Sequence, residues 1–320
     1  MARLSIVAFL LALSLPVSAQ DASAVAFQET PGQLTILVGG RPFAEYVYAD
    51  KAVPRPFFCR VTAPDGTQVT RNYPPDPVAD KGNDDHEGFH PGIWLAFGDL
   101  GGADFWRNKA RVRHDGFINA PKGGDAGAFT VRNVYETTDA PPRVICEETC
   151  TYTVRPEGAG IWLVSESTFQ TTLAGVAFGD QEEMGFGVRM ATPLTVKHGN
   201  GVLLNSLGGE NERDTWGKAA DWCAFSGMAG DHRAGVMLMA SPKNFRPSWH
   251  HNRDYGLMVA NPFGKKSMTA PKDRDVTEDS TPLPAGEPLT LGFAVFVFST
   301  DSGAHPDYSA LHAAYAAGLN

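Results

Sequence analysis

Between Asp85 and Trp106 the chain reads DHEGFHPGIWLAFGDLGGADFW, and this run concentrates groups able to do chemistry. It holds two histidines (His86, His90), four carboxylates (Asp85, Glu87, Asp99, Asp104) and two tryptophans (Trp94, Trp106). Imidazole and carboxylate move protons or hold metals near neutral pH. An indole beside them offers an apolar face of the kind that grips a sugar ring. His86 and His90 precede the apolar segment 93–97. They read equally as an acid/base or metal pair on a cleft wall and as polar residues capping turns near Pro91-Gly92. Asp99 and Asp104 flank Gly101-Gly102, where aspartate is a turn former. Burial of an indole is a large stabilising term, which favours Trp94 and Trp106 as core over ligand platform.

Two more clusters carry titratable groups. In Trp249-His250-His251-Asn252-Arg253-Asp254-Tyr255, adjacent histidines on an extended chain point to opposite sides, so one of them faces a site. The reading prefers His250, with Arg253 and Asp254 as binding groups or a structural fork. In Asp180-Gln181-Glu182-Glu183 before Gly185-Phe186-Gly187-Val188-Arg189, Glu183 and Arg189 share one strand parity and Glu182 the other. Glu183 is therefore taken as base or hydroxyl acceptor, with Arg189 beside it. Glu210, Glu212 and Asp214 read as surface acids, with Trp216 and Trp222 nearby.

These groups need a scaffold, and strand signals dominate it. Runs at 33–38 and 43–48 flank Gly39-Gly40, and 57–62 and 67–70 flank Pro64-Asp65-Gly66. Further candidates are 129–135, 144–154, 161–171, 186–190, 201–205, 234–240, 256–260 and 289–298. The last is almost wholly apolar and belongs in the middle of the protein, buried on both faces. One helix is expected, 308–317, opened by Pro306-Asp307 and closed by Gly318. Polar loops are read at 78–85 and 268–284. Many short strands with glycine and proline turns mean an all-β protein, a large antiparallel sandwich with one short C-terminal helix, in one domain over 20–320.

Residues 1–19 read as a secretory leader: Arg3, an apolar run 4–15, Pro16, and Val17-Ser18-Ala19 before Gln20. The expectation is export to the periplasm or beyond, with no membrane span after cleavage. A net charge of -9 without a basic stripe argues against a nucleic-acid partner. Of the four cysteines, Cys146 and Cys150 share a strand face. Their Cα atoms would lie roughly 13 Å apart, too far for a bridge unless a turn intervenes. Bridges to Cys59 or Cys223 and free buried thiols both fit. No phosphate loop, dinucleotide fingerprint, serine elbow or HExxH helix is present.

The pieces Pro54-Arg55-Pro56-Phe57, Ala63-Pro64-Asp65-Gly66-Thr67, His90-Pro91-Gly92-Ile93-Trp94 through Asp104-Phe105-Trp106, and Arg253-Asp254-Tyr255-Gly256 through Asn261-Pro262-Phe263-Gly264 resemble the PmoA-like family, exported bacterial proteins labelled methane oxygenase. They extend over most of the mature chain. Many relatives carry a denser histidine cluster where this chain has 85–92. Strand content and size look similar to the supersandwich of galactose-mutarotase-like proteins. That similarity implies a sugar ring on a concave sheet, with histidine and carboxylate trading protons.

The function expected is an exported carbohydrate-active protein, leaning towards an acid/base enzyme of epimerase, lyase or hydrolase type. His90, His250 and Glu183 would be catalytic, Arg189, Arg253, Asp254, Trp94 and Trp106 would bind substrate, and no cofactor is expected, with a metal ion as the alternative. The alternatives are a metal-dependent oxidase using His86, His90 and His250 as ligands, and a non-catalytic sugar-binding module.

Overall fold

The computed structural model describes residues 24–269, 279–301 and 303–318. The leader read at 1–19 and the centre of the polar loop at 268–284 lie outside these residues.

In chain order the elements are β1 (Val25–Thr30), β2 (Gln33–Val38), β3 (Arg41–Val47), β4 (Phe57–Cys59), β5 (Ile93–Phe97), β6 (Ala110–Lys122), β7 (Gly127–Thr137), β8 (Val144–Glu157), β9 (Gly160–Gln170), β10 (Ala177–Phe178), β11 (Met184–Arg189), β12 (Val202–Asn205), α1 (Asn211–Thr215), β13 (Trp222–Ala229), β14 (His232–Ala240), β15 (Trp249–His250), β16 (Leu257–Asn261), α2 (Lys265–Met268), β17 (Thr281–Pro282), β18 (Leu289–Thr300) and α3 (Tyr308–Ala316). They form two eight-stranded antiparallel sheets. The first runs β1-β2-β3-β4-β5-β11-β16-β15 and the second β12-β13-β14-β18-β9-β8-β7-β6; β10 and β17 make a small separate pair. The expected all-β antiparallel sandwich with one C-terminal helix is what the chain forms.

Alternation explains the layers. Inward side chains of both sheets, among them Tyr46, Phe58, Phe97, Phe186, Phe129, Tyr152, Phe169 and Phe293, merge into one core. Aromatic contacts cross it directly: Tyr46 meets Tyr152 at 5.3 Å and Phe186 stacks on Phe293 at 5.3 Å between centroids. β18 lies inside the second sheet as expected. Leu291, Phe293, Val295 and Val297 enter the main core. Ala294, Phe296 and Phe298 face outward under α3, where Tyr308 packs on Trp222 and Phe298. Asp307 caps α3 by accepting from the Ala310 amide.

Seven strands escaped the sequence reading, among them the two-residue β10, β15 and β17. β6 is a polar edge strand whose register shifts three times, which erases its alternation. β5 and β13 are mostly or wholly buried, so they show apolar runs without a period. β1 is short and polar at its end. Segment 67–70 makes only isolated bridges, Thr62 to Gln68 and Thr70 to Met190. Cys146 and Cys150 share the inner face of β8, and all four cysteines are buried free thiols. Among the described residues no helix is long and apolar enough to cross a membrane.

Candidate functional site

The outer face of the first sheet is roofed by loops, and the chemistry-bearing residues gather there. Strand register sets the rows. Phe57 pairs with Trp94, Trp94 with Gly187, and Gly187 with Val259; the His251 amide then donates to the Val259 carbonyl. One row over, Arg189 pairs with Leu257, which is bridged to Arg253. Gly187 has to be glycine, because a Cβ there would stand 2.6 Å from the Trp94 indole lying across it. Trp94, Trp106, Phe57, Leu257 and Val259 make a second apolar cluster on this face, with Phe89 and Tyr255 packed against it.

On this floor stands a stack of three rings. Trp94 and His90 lie 5.2 Å apart at 14°, and His90 and His86 5.0 Å apart at 19°. His90 is 2% exposed, so the middle ring is sealed, while the His86 side chain is 42% exposed. The His86 backbone adopts φ +51°, a left-handed conformation uncommon for a non-glycine residue. Its Nδ1 donates to Asp85 Oδ2 at 2.5 Å. Asp85 Oδ1 in turn accepts from Arg189 Nη2 at 2.5 Å, and Arg189 is fully buried. Burial pushes the Asp85 carboxyl up, but the Arg189 guanidinium and the His86 hydrogen bond outweigh it and hold it below its ordinary value. An ionised carboxylate only accepts, so His86 carries a hydrogen on Nδ1, and in the neutral tautomer this selects the lone pair is on Nε2.

Arg189 is itself held by Asn83, whose Oδ1 accepts from Nη2 at 2.5 Å, and its guanidinium sits 4.3 Å from the Tyr255 ring centre. A second buried guanidinium, Arg71, donates to the carbonyls of Asn83, Asp85 and His90 and so pins the loop that carries the relay. Burial, then the neighbouring Arg189, pulls Arg71 down to about 10. Arg55 does the same for the adjoining loops, donating to the carbonyls of Phe89, Phe105 and Trp106. Beyond Tyr255 the strip continues. Arg253 reaches Glu212 at 3.1 Å and Glu182 at 3.4 Å, and stands 5.6 Å over the Trp216 ring. His251 Nδ1 accepts from Trp216 Nε1 at 3.3 Å.

The expected site residues are only partly brought together. Arg189 and Arg253 do lie on this strip, but Arg189 holds Asp85 and is sealed from any ligand. His90 is packed between rings, and burial, followed by the Arg189 charge, drives its pKa well below the ordinary range. It is a neutral packing partner, not a proton donor. His250 faces the other way: it pairs with core-facing Ala260, its Nε2 donates to the Ala220 carbonyl at 3.0 Å, and burial lowers it to about 4. His251 takes the outward position instead. Glu183 is paired with Arg107, not Arg189. Six residues of strand separate Glu183 from Arg189, roughly 20 Å. Asp254 caps α1 by accepting from the Glu212 amide at 2.8 Å. Trp94 and Trp106, at 1% and 0% exposure, are floor rather than stacking surface.

The metal alternative also fails geometrically. His86 and His90 are stacked face to face, so their nitrogens do not converge, and His250 is on the opposite side of its strand. Among the described residues no group of three or more His, Cys, Asp or Glu could hold a metal ion. Sequence reasoning assigned no role to Arg71, Asn83, Tyr255 or His251. Only the parity of the histidine pair offered a signal, and it left the choice open. A cleft of about 550 Å³ lined by Arg41, Phe43, Thr62 and Glu157 lies away from the strip.

The buried histidines make stability depend on pH. Burial lowers His250 to about 4 and, with Arg253, His251 to about 3, against an ordinary 6.5. The unfolded chain therefore binds more protons below pH 6.5. The stability these groups confer is whole above that pH and is lost as pH falls towards their folded values. For His250 alone the difference is about 3 kcal/mol. Glu148, raised by burial, works in the opposite direction. Urea midpoints for the wild type should fall from pH 7 to pH 4.5, and His250→Gln should flatten that fall. An unchanged slope in the variant would contradict the assignment.

Comparison with known proteins adds a family. The family model described as "Family of unknown function (DUF6807)" matches residues 33–307. No curated protein matches the chain. Among solved structures, a galactose mutarotase related enzyme from Lactobacillus acidophilus is 9% identical with a TM-score of 0.31, over 88% of this chain and 100% of that one. A protein carrying the provisional name kojibiose phosphorylase, from the human microbiome, is 7% identical with a TM-score of 0.28. That match takes in 66% of this chain but only 24% of the other, so this chain spans about a quarter of its length. The resemblance to the PmoA-like family rests on the sequence motifs alone.

Proposed function

The chain belongs to this family, and from the geometry of its strip we propose that it is a carbohydrate-active acid/base protein in which His86, not His90 or His250, moves the proton. The single observation that carries this reading is the Arg189–Asp85–His86 relay. A buried cation fixes a carboxylate, the carboxylate fixes an imidazole tautomer, and the imidazole points to solvent from a strained backbone. Such an arrangement is well suited to a general base.

The ligand reading follows from what surrounds the base. Glu182 and Glu212 are 39% and 37% exposed beside Arg253, with Trp216 and Tyr255 as aromatic neighbours. Carboxylates accept from sugar hydroxyls, guanidinium donates to ring or carbonyl oxygens, and aromatic rings meet the C–H face. His86 Nε2 removes a proton from a carbon next to a carbonyl, and the electron pair passes to the carbonyl oxygen. Tyr255, which burial keeps protonated, returns a proton to give an epimer; loss of a β-hydroxyl instead gives elimination. The leader at 1–19 supports export to the periplasm or beyond. The test is incubation in deuterated buffer with a panel of ketoses, aldoses and keto-sugars, followed by proton NMR. Loss of one C–H signal, or a new epimer or alkene, is the expected result. An unchanged panel would overturn the acid/base reading.

A further inference from the structure

On the other side of β15 from His251 lies a cleft of about 360 Å³, lined among others by Asp221, Ser241, Phe245, Arg246, Ser248 and His312. It is formed where the end of β14 and the start of β15 meet α3. Three observations set it apart. Phe245 is one of few large apolar side chains left open to solvent, at 40% exposure. Ser248 lines the cleft at 1% exposure, and its Oγ has no hydrogen-bond partner among the described residues. Arg246 is already engaged by Asp279 and Thr281, which leaves Asp221 as the exposed charge on the wall.

We propose that this cleft binds one neutral hexose unit, independently of the His86 strip. A buried hydroxyl without a partner is costly and is satisfied when a ligand hydroxyl enters. Phe245 has one ring face covered by the Arg246 guanidinium, 4.7 Å from its centre, and packs on Phe263, so it is its open edge that meets the C–H side of a pyranose. An exposed carboxylate accepts from sugar hydroxyls and repels a ligand carboxylate. Behind the wall, His250 donates from Nε2 to the carbonyl of Ala220, itself a lining residue, so its free Nδ1 is a further acceptor two residues from Ser248. The volume falls in the range of small-ligand sites and holds a single sugar ring with water.

The test is a titration of isotopically labelled protein with methyl glucopyranoside, galactopyranoside and mannopyranoside. The readout is the NMR shifts of the Asn244 side-chain amide and the His312 ring, which belong to this cleft. Saturable shifts are expected for at least one neutral glycoside and none for glucuronate. Phe245→Ala, at a side chain 40% exposed, should weaken binding about tenfold with the unfolding midpoint measured alongside, and Ser248→Ala several-fold. His86→Asn should leave these shifts as they are, so failure of the catalytic reading would not be mistaken for failure here. No saturable shift with any neutral glycoside, equal binding of glucuronate, or unchanged affinity in both cleft variants would each overturn the proposal.

Discussion

Replacing His86 by asparagine is expected to slow proton exchange on the responsive sugar by about 10²–10⁴-fold, the range a positioned general base contributes. Asparagine suits this test because it tolerates the left-handed backbone that His86 adopts at φ +51°. The side chain is 42% exposed, and among the described residues its hydrogen bond is to Asp85 and its ring contacts are to His90 and Phe89, so stability should stay within about 1 kcal/mol of wild type. A large kinetic loss with an unchanged unfolding midpoint marks a group acting on substrate. Asp85→Asn should cost less, since it removes the fixing of the tautomer but leaves the imidazole. His90→Gln is the contrasting variant. It breaks the middle of the ring stack, so its main effect should be on stability. If His90→Gln abolished exchange at wild-type stability while His86→Asn did not, the roles given to the two rings would be reversed.

The second large effect concerns Trp94. As a ligand platform it would lower affinity on truncation and leave folding alone. As floor, at 1% exposure beneath His90 and across Gly187, its truncation to alanine should cost about 3–5 kcal/mol. Chemical denaturation separates the two. A midpoint close to wild type combined with lost sugar handling would restore the platform. Activity in Trp94→Ala should also fall, because the His86–His90 stack rests on that indole, but only in proportion to the disorder it introduces.

Much of the fold was legible because strand and turn signals are local. The hairpin around Gly39-Gly40 and the buried run at β18 follow from neighbouring residues alone, and so does the Asp307-capped helix. The missing strands were those whose pattern depends on partners: β6 loses its alternation to bulges, and β5 is buried on both faces. Within the site, the sequence pointed to the segment 85–106 and to the Arg253 cluster, and those two stretches do meet across β11 and β16. It assigned Glu183 to Arg189 by parity. Parity says which face a residue takes but not how far along the strand its neighbours stand, and Arg107 reached Glu183 first.

An antiparallel β protein, the loop that carries the imidazole, and the rule that only one of His250 and His251 can face outward all follow from local residue patterns. Tertiary structure decided which one. His250 stands opposite Ala260, whose side chain enters the core, and His251 stands opposite Val259 on the outer face. A slip of one residue between β15 and β16 would exchange them, because strand side chains alternate with a period of two. That register is set by the packing of whole sheets, and the sequence of β15 does not contain it.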